Sequence, residues 1–385
     1  MIPRTAAATM DRLAQGFPIV ALTGPRQSGK TTLARAAFPR RPYVTLEDPD
    51  ERSMAERDPR SFLARFPDGA VLDECQRAPE LFSYLQGVVD ERGRMGDFVL
   101  TGSQQFGLMS RISQSLAGRV GLVHLLPLSL NEIAAESLLP ASLDEQLVRG
   151  GYPPLYDRDL KPTDFFGSYV PTYLERDLRQ MLAVRDLSQF QRFLKMCAGR
   201  SGQLLNLSAL AADCGITHVT ARQWLTVLEA SYLVRLLPPY HRNFGKRLVK
   251  TPKLYFLDTG LLCYLLGIRR QAEVATHALR GALFETLVVS ELVKQRFNAG
   301  EPAELWFWRD HVGSEVDVVF ETAQGLQPVE IKSGATFASD WIGPLRRWAA
   351  LGGNDSLPPW IIYGGSKSYE REGCRVIGWR QLADA

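Results

Sequence analysis

From Pro18 to about Ala141, short apolar runs alternate with segments whose apolar residues recur at helical spacing, the pattern of a parallel sheet with helices on both faces. The runs are Ile19 to Leu22, Tyr43 to Leu46, Ala70 to Leu72, Phe98 to Leu100 and Val120 to Leu125. Paired glycines and prolines at Gly150-Gly151-Tyr152-Pro153-Pro154 break any regular element and predict a boundary. Tyr169 to Asp186 reads as a charged helix, with Glu175, Arg176 and Asp177 on a solvated face or in an ion-pair network. Between Asn206 and Leu228 the pattern predicts two helices around a turn at Gly215, with Ser208 capping the first and Thr217 starting the second. Ala221, Trp224, Leu225 and Leu228 then fall at core spacing. Tyr232 to Leu237 and Leu248 to Phe256 read as two strands. Gly281 to Tyr363 reads as helix, three strands, helix, strand, the strands near Leu305 to Trp308, Glu315 to Phe320, Gln327 to Lys332 and Trp360 to Tyr363.

The first strand runs into Gly24-Pro25-Arg26-Gln27-Ser28-Gly29-Lys30-Thr31, which fits G-x-x-x-x-G-K-[ST], a loop whose backbone N–H groups converge on nucleotide phosphates. With glycine near 7% of residues, a chance match in a chain this long is on the order of one per cent. Lys30 is expected at the β- and γ-phosphates and Thr31 on Mg2+, with the start of the following helix adding partial positive charge. Gly24 through Thr31, together with Thr32, are the candidate ATP-binding residues.

The third strand ends in Asp73-Glu74 and delivers two carboxylates to its C-terminal edge, where open α/β sheets bind nucleotides. Asp73 is expected to hold Mg2+ directly or through water, and Glu74 to polarise the attacking water. The fourth strand ends in Thr101-Gly102-Ser103-Gln104, so Ser103 or Gln104 either senses the γ-phosphate or opens a helix as its cap. Arg119, just before the fifth strand, is either a finger supplied to a neighbouring subunit's nucleotide or a surface arginine.

The middle segment has helix-turn-helix arithmetic, leaving His218, Arg222, Gln223 and Thr226 for a nucleic-acid groove. From Ala230 to Leu257 there is no acidic residue, while Arg235, Arg242, Lys246, Arg247, Lys250 and Lys253 are basic, a one-sign cluster suited to phosphate contacts on a winged-helix hairpin. The candidate DNA contacts are Arg222, Gln223, Arg242, Lys246, Arg247 and Lys250; the competing reading is a winged helix for protein contacts or an ATPase lid. Near the C-terminus Asp317 lies on one strand, while Glu330 and Lys332 share a face of the next. Asp317 and Glu330 are candidates to share Mg2+ or Mn2+, with Glu285 on the preceding helix and Lys332 orienting or deprotonating a water for phosphodiester attack. The rival is a retired core in which Lys332 merely pairs with Glu330 or Asp317.

At 385 residues and 45% hydrophobic the chain can bury more than one core, and a net charge of +3 by itself indicates no polyanion partner. Cys75, Cys197, Cys214, Cys263 and Cys374 lack CxxC spacing, which disfavours a zinc site or disulfide framework. No membrane span or signal-peptide layout is read, so a soluble cytoplasmic protein is expected.

Nearly end to end the chain resembles prokaryotic AAA-plus ATPases whose C-terminal half carries a domain of uncharacterised function with a restriction-endonuclease-like PD-(D/E)xK core. The resemblance rests on GPRQSGKTT, VLDECQ, LTGSQQ, SLAGR and PLSLNEI in the first half. In the second it rests on GGYPPL, GQLLNLSALAADCGI, KRLVKTPKLYFLDTGLL, FETLVVSEL, FWRDHVGSEVDVV and PVEIKSG. It implies an α/β fold: an ATPase sheet of order 5-1-4-3-2 in residues 1–150, a helical linker and winged helix in 151–270, and a nuclease-like domain in 271–385. Two functions follow as expectations. One is an ATP-driven, homo-oligomeric motor or remodeller of DNA, branched DNA included; the other is a nucleotide-controlled switch that binds DNA or a protein and hydrolyses ATP slowly.

Overall fold

A computed structural model describes residues 1–102, 115–175, 187–240, 251–310, 312–352 and 356–384. They fall into two compact units, one of Met1–Leu128 with Ala230–Tyr232 and Lys294–Pro302, the other of Ser129–Glu229, Leu233–Val293 and Ala303–Ala385.

The first unit is built on β1 (Ile19–Thr23), β2 (Tyr43–Thr45), β3 (Ala70–Asp73), β4 (Phe98–Gly102) and β5 (Val120–His124), all parallel, in the order β2-β3-β4-β1-β5. Read from the other edge this is the expected 5-1-4-3-2. Every residue of β1, β3 and β4 is buried, because helices cover both faces. Alternate residues serve opposite cores: Ile19, Ala21, Leu72, Phe98 and Leu100 pack on one side, and Val20, Leu22, Val71 and Val99 on the other. Parallel strands bring all their C-terminal ends to one edge, so Gly24, Asp73 and Gly102 emerge together.

In the second unit, helices Leu207–Cys214 and His218–Ala230 flank Gly215, whose φ of 67° is the left-handed conformation a glycine adopts at no steric cost. The first helix is capped by Asn206, which accepts from Ala209 N at 3.0 Å, and not by Ser208, which lies inside it. Thr217 caps the second, accepting from Thr220 N at 3.1 Å. Ala221, Trp224, Leu225 and Leu228 are buried as their spacing predicts, with Phe190 and Phe193 edge-on to Trp224. β6 (Gln203–Leu204), β7 (Val234–Leu237) and β8 (Lys253–Phe256) form an antiparallel sheet of order β6-β8-β7.

A six-stranded sheet follows, of β9 (Leu305–Arg309), β10 (Glu315–Thr322), β11 (Gly325–Lys332), β12 (Trp360–Tyr363), β13 (Tyr369–Arg371) and β14 (Cys374–Gly378), in the order β13-β14-β12-β11-β10-β9. The helix–strand–strand–strand–helix–strand succession is present, with helices Arg280–Ala299 and Gly343–Gly352; β13 and β14 extend it beyond the sequence reading. Register between β9 and β10 slips between Val316 and Val319, an irregularity that contains Asp317.

The glycine pair expected to mark a boundary lies between helices Leu143–Arg149 and Pro154–Asp157 and is buried. A Cβ on Gly150 would stand 2.6 Å from Asp258 Oδ1, and Gly151 N donates to Asp258 Oδ2 at 2.7 Å. Tyr152 is fully buried beside Phe165, Phe166 and Tyr169. The expected charged helix begins as Pro162–Tyr169 and continues as a π-helical segment, Val170–Glu175; Arg176 and Asp177 lie outside the described residues. Among the described residues no helix is long and apolar enough to cross a membrane.

Candidate functional site

The loop after β1 depends on backbone that side chains resist. Gly24 has φ 151° and a Cβ there would meet Leu125 O at 2.1 Å, while Gly29, at φ 94°, turns the chain into helix Lys30–Ala37. Gln27, at φ 59°, is the loop's one left-handed residue that carries a side chain. Ser28 Oγ donates to Pro25 O at 2.9 Å. Arg4, on which the sequence reading was silent, braces the loop from behind, donating to Ser28 O at 2.6 Å and Leu126 O at 2.7 Å. Arg26 stands 3.9 Å from Glu47, and Thr32 is exposed on the helix.

Lys30 is buried and folds its ammonium back across the loop, donating to Gly24 O at 3.0 Å and Pro25 O at 2.8 Å. Burial pulls its pKa down to about 8, against the opposing pull of Glu74 and Asp73. Those carbonyl bonds hold the ammonium over the loop.

Asp73 is the hub. Its Oδ2 accepts from Thr31 Oγ1 at 3.0 Å and from Tyr43 Oη at 2.7 Å, and its Oδ1 accepts from Thr101 Oγ1. Burial and the carboxylate push the Tyr43 hydroxyl well above its ordinary range, so it stays a donor. Tyr43 and Thr101 were missed as site residues; the sheet order was the signal, since β2 and β4 flank β3. Glu74 follows with φ 55°, its Oε2 accepting from Gln76 Nε2. A lysine, positive-φ backbone, a hydroxyl bonded to a buried aspartate and a second carboxylate beside it fit a nucleoside triphosphate with its Mg2+. At the same edge Thr23 Oγ1, His124 Nδ1 and Tyr232 Oη form a hydrogen-bonded triangle of 2.7–2.8 Å sides one residue before Gly24.

Arg119 lies at the opposite edge, at the N-terminal end of β5, its guanidinium forked onto Asp90 at 2.6 and 2.8 Å. Five residues of strand separate the two edges, roughly 16 Å, so Arg119 cannot serve its own Lys30 site. Ser103, Gln104, Arg242, Lys246, Arg247 and Lys250 lie outside the described residues. Arg222 and Gln223 are exposed on helix His218–Ala230, as are His218 and Thr226.

Two members of the basic cluster are engaged with protein groups. Arg235 donates to Ala303 O from a largely buried position. Lys253, its side chain 4% exposed, enters the acidic cluster, 2.5 Å from Glu315 Oε1, 3.0 Å from Glu285 Oε1 and 4.0 Å from Asp317 Oδ1. The structure thus brings together Glu285, Asp317, Glu330 and Lys332, adding Lys253, Glu315 and Tyr255, whose hydroxyl donates to Glu285 Oε1 at 2.5 Å. Lys332 pairs with Glu330 Oε1 at 2.5 Å, and Ile331 N donates to Asp317 Oδ2 at 2.8 Å. Burial, then Glu330 and Glu285, raise Asp317 well above the carboxylate range; burial likewise lifts Glu330 to about 7 against the pull of Lys332. Glu330 Oε2 is buried without a hydrogen-bond partner.

Compared with known proteins, residues 16–134 match an AAA domain, residues 140–272 a domain of unknown function (DUF8612) and residues 280–382 another (DUF4143). The chain is 34% identical over 337 residues to Uncharacterized protein Rv2008c of Mycobacterium tuberculosis, covering 86% of this chain and 74% of that one, with the same figures for Mb2031c of Mycobacterium bovis. Among solved structures it overlays the Walker-type ATPase of Pyrococcus abyssi at TM-score 0.43 and 14% identity, over 69% of this chain and 96% of that one. The Thermotoga maritima RuvB Holliday junction branch migration motor overlays at TM-score 0.30 and 19% identity, over 60% and 87%.

Proposed function

We propose that this chain, which belongs to the family of these two mycobacterial proteins, an AAA domain followed by two domains of unknown function, is an ATP-driven motor or remodeller of DNA. The observation that carries the reading is the convergence of Lys30, Thr31, Asp73 and Glu74 on one sheet edge, with Thr31 already bonded to Asp73 at 3.0 Å. These residues divide the work of hydrolysis. The loop and Lys30 take the phosphates, Thr31 and Asp73 hold Mg2+, and Glu74 orients the attacking water. Magnesium, when bound, neutralises charge on the phosphate oxygens.

DNA contact is supported by the two helices around Gly215 and the antiparallel strands after them, a winged-helix arrangement in which Arg222 and Gln223 face outward. In this reading residues 1–150 hydrolyse, 151–270 grip DNA, and 271–385 form a nuclease-like core. Arg119, too far from its own nucleotide, acts on a neighbour's in a homo-oligomer.

The alternative of a slow switch has one observation in its favour: Gln76 engages Glu74, so the base is tethered until that bond breaks. Steady-state ATP hydrolysis with and without linear and four-way DNA decides between them. Strong stimulation with strand movement supports the motor; slow turnover indifferent to DNA supports the switch.

A further inference from the structure

The C-terminal acidic cluster is where the resemblance implies Mg2+ or Mn2+, and the side chains gathered there do not fit one. A hard divalent cation needs several oxygens turned toward a common space with room left for water or substrate. Here an ammonium stands among three of the carboxylates. Lys253 is in contact with Glu315 and Glu285, stands 4.0 Å from Asp317, and lies over the Phe307 ring at 5.5 Å from its centroid. Lys332 takes one oxygen of Glu330, and the second oxygen of Asp317 is committed to the backbone of Ile331. Among the described residues no group of three or more His, Cys, Asp or Glu is disposed to hold a metal ion. A doubly charged ion placed among these oxygens would face two ammonium groups at close range, in surroundings that screen poorly.

We propose that Lys253 is a built-in cation, standing in the C-terminal core where a divalent metal would otherwise bind, so that this centre takes up neither Mg2+ nor Mn2+ and makes no metal-assisted cut in DNA. An ammonium neutralises carboxylates but offers no open coordination position and does not generate a metal-bound hydroxide. What it does instead is mechanical. Lys253 sits on β8, Glu315 and Asp317 on β10, and Glu285 on helix Arg280–Ala299, so one buried charge ties three elements together. The inference is independent of the ATPase reading, and its failure would leave that reading intact.

The test uses the full-length chain with Lys30→Ala to silence the first site, titrated with Mn2+ by electron paramagnetic resonance and by thermal melting against EDTA. The parent should show no Mn2+ site that Glu330→Gln removes, and no Lys332-dependent cleavage of linear, flapped or four-way DNA. Lys253→Ala and Lys253→Met should each gain one Mn2+ site, at least about tenfold tighter than any binding by the parent, and lose it again with Glu330→Gln. If either variant is unfolded in EDTA, Mn2+ should restore it where Na+ at equal ionic strength does not. A Glu330-dependent Mn2+ site or a Lys332-dependent cut in the parent overturns the proposal. So does a folded Lys253 variant without the new site, or an unfolded one that Mn2+ leaves unfolded.

Discussion

Tyr43→Phe removes a single oxygen from the first site and leaves the ring that packs around it. Asp73 is 6% exposed and takes three hydroxyl donors, two of them, Tyr43 at 2.7 Å and Thr31 at 3.0 Å, on the same oxygen. A hydrogen bond to a buried carboxylate contributes about 1.5–3 kcal/mol. Because Thr31 shares the oxygen, the loss should fall near the lower end, about 1.5 kcal/mol. The larger effect should appear with Mg2+. Thr31 and Asp73 are the residues that would hold Mg2+, with Tyr43 an outer donor to Asp73 Oδ2, and loss of such an outer partner typically costs about 10–100-fold in metal affinity or activity. ATP hydrolysis measured across a Mg2+ series should therefore show a midpoint shifted upward by about tenfold or more, alongside a modest loss in urea melts. Arg35→Ala is the control: its guanidinium lies over the Tyr43 ring, 4.9 Å from the centroid, and its removal leaves the hydrogen bond to Asp73 in place, so it should leave the Mg2+ midpoint where it was. A Tyr43→Phe enzyme with the parent's Mg2+ midpoint would refute the role given to this hydroxyl, whatever its melt shows.

Lys30→Ala should abolish ATP binding, whereas Glu74→Gln should bind ATP and hydrolyse it roughly a hundredfold more slowly; equal loss of affinity in both, by nucleotide titration, would sink the division of roles. Arg119→Ala should keep ATP binding and regain hydrolysis when mixed with Lys30→Ala subunits, and mixtures shown to co-assemble without rescue would remove the inter-subunit finger. Because burial holds Lys30 at a pKa of about 8 and entering phosphates favour its charged form, ATP binding above that pH should take up a proton. The bound state then carries more protons than the free one, so affinity should fall as pH rises through about 8; calorimetric heats near pH 8.5 that do not change with buffer ionisation enthalpy would contradict this.

The ATPase half was legible because its signals are local. A buried parallel strand must be apolar along its whole length, and the loop that follows must be glycine-bracketed where backbone approaches phosphate, so Ile19–Thr23 and Gly24 to Thr31 stand out without any knowledge of their neighbours. The same holds for the helix pair at Gly215, where one left-handed residue and core-spaced Trp224 and Leu228 suffice. Tyr43 and Arg4 were not legible in this way. Each acts through a partner 30 and 24 residues distant, respectively, and nothing in the composition around either marks that partner.

Lys253 and Gly150-Gly151 share a feature that local composition does not carry: burial depends on what lies across the contact. A lysine in a stretch without acids looks like a phosphate contact only while its partners are sought nearby. Glu285 is 32 residues on, and at 3.0 Å it outweighs every neighbour in sequence. Glycines beside prolines likewise mark a break in regular structure, yet glycine also serves where no Cβ can fit, and the carboxylate of Asp258 occupies that place at Gly150. That carboxylate also caps helix Thr259–Leu265, accepting from Leu261 N at 2.8 Å. One side chain thereby joins two segments more than a hundred residues apart. In both places the deciding group is a carboxylate distant in sequence, half-buried at Glu285 and buried at Asp258, whose hydrogen bonds are met across the contact. The residue that meets them, an ammonium in one case and a backbone N–H in the other, gives no sign of that task in its own stretch of chain.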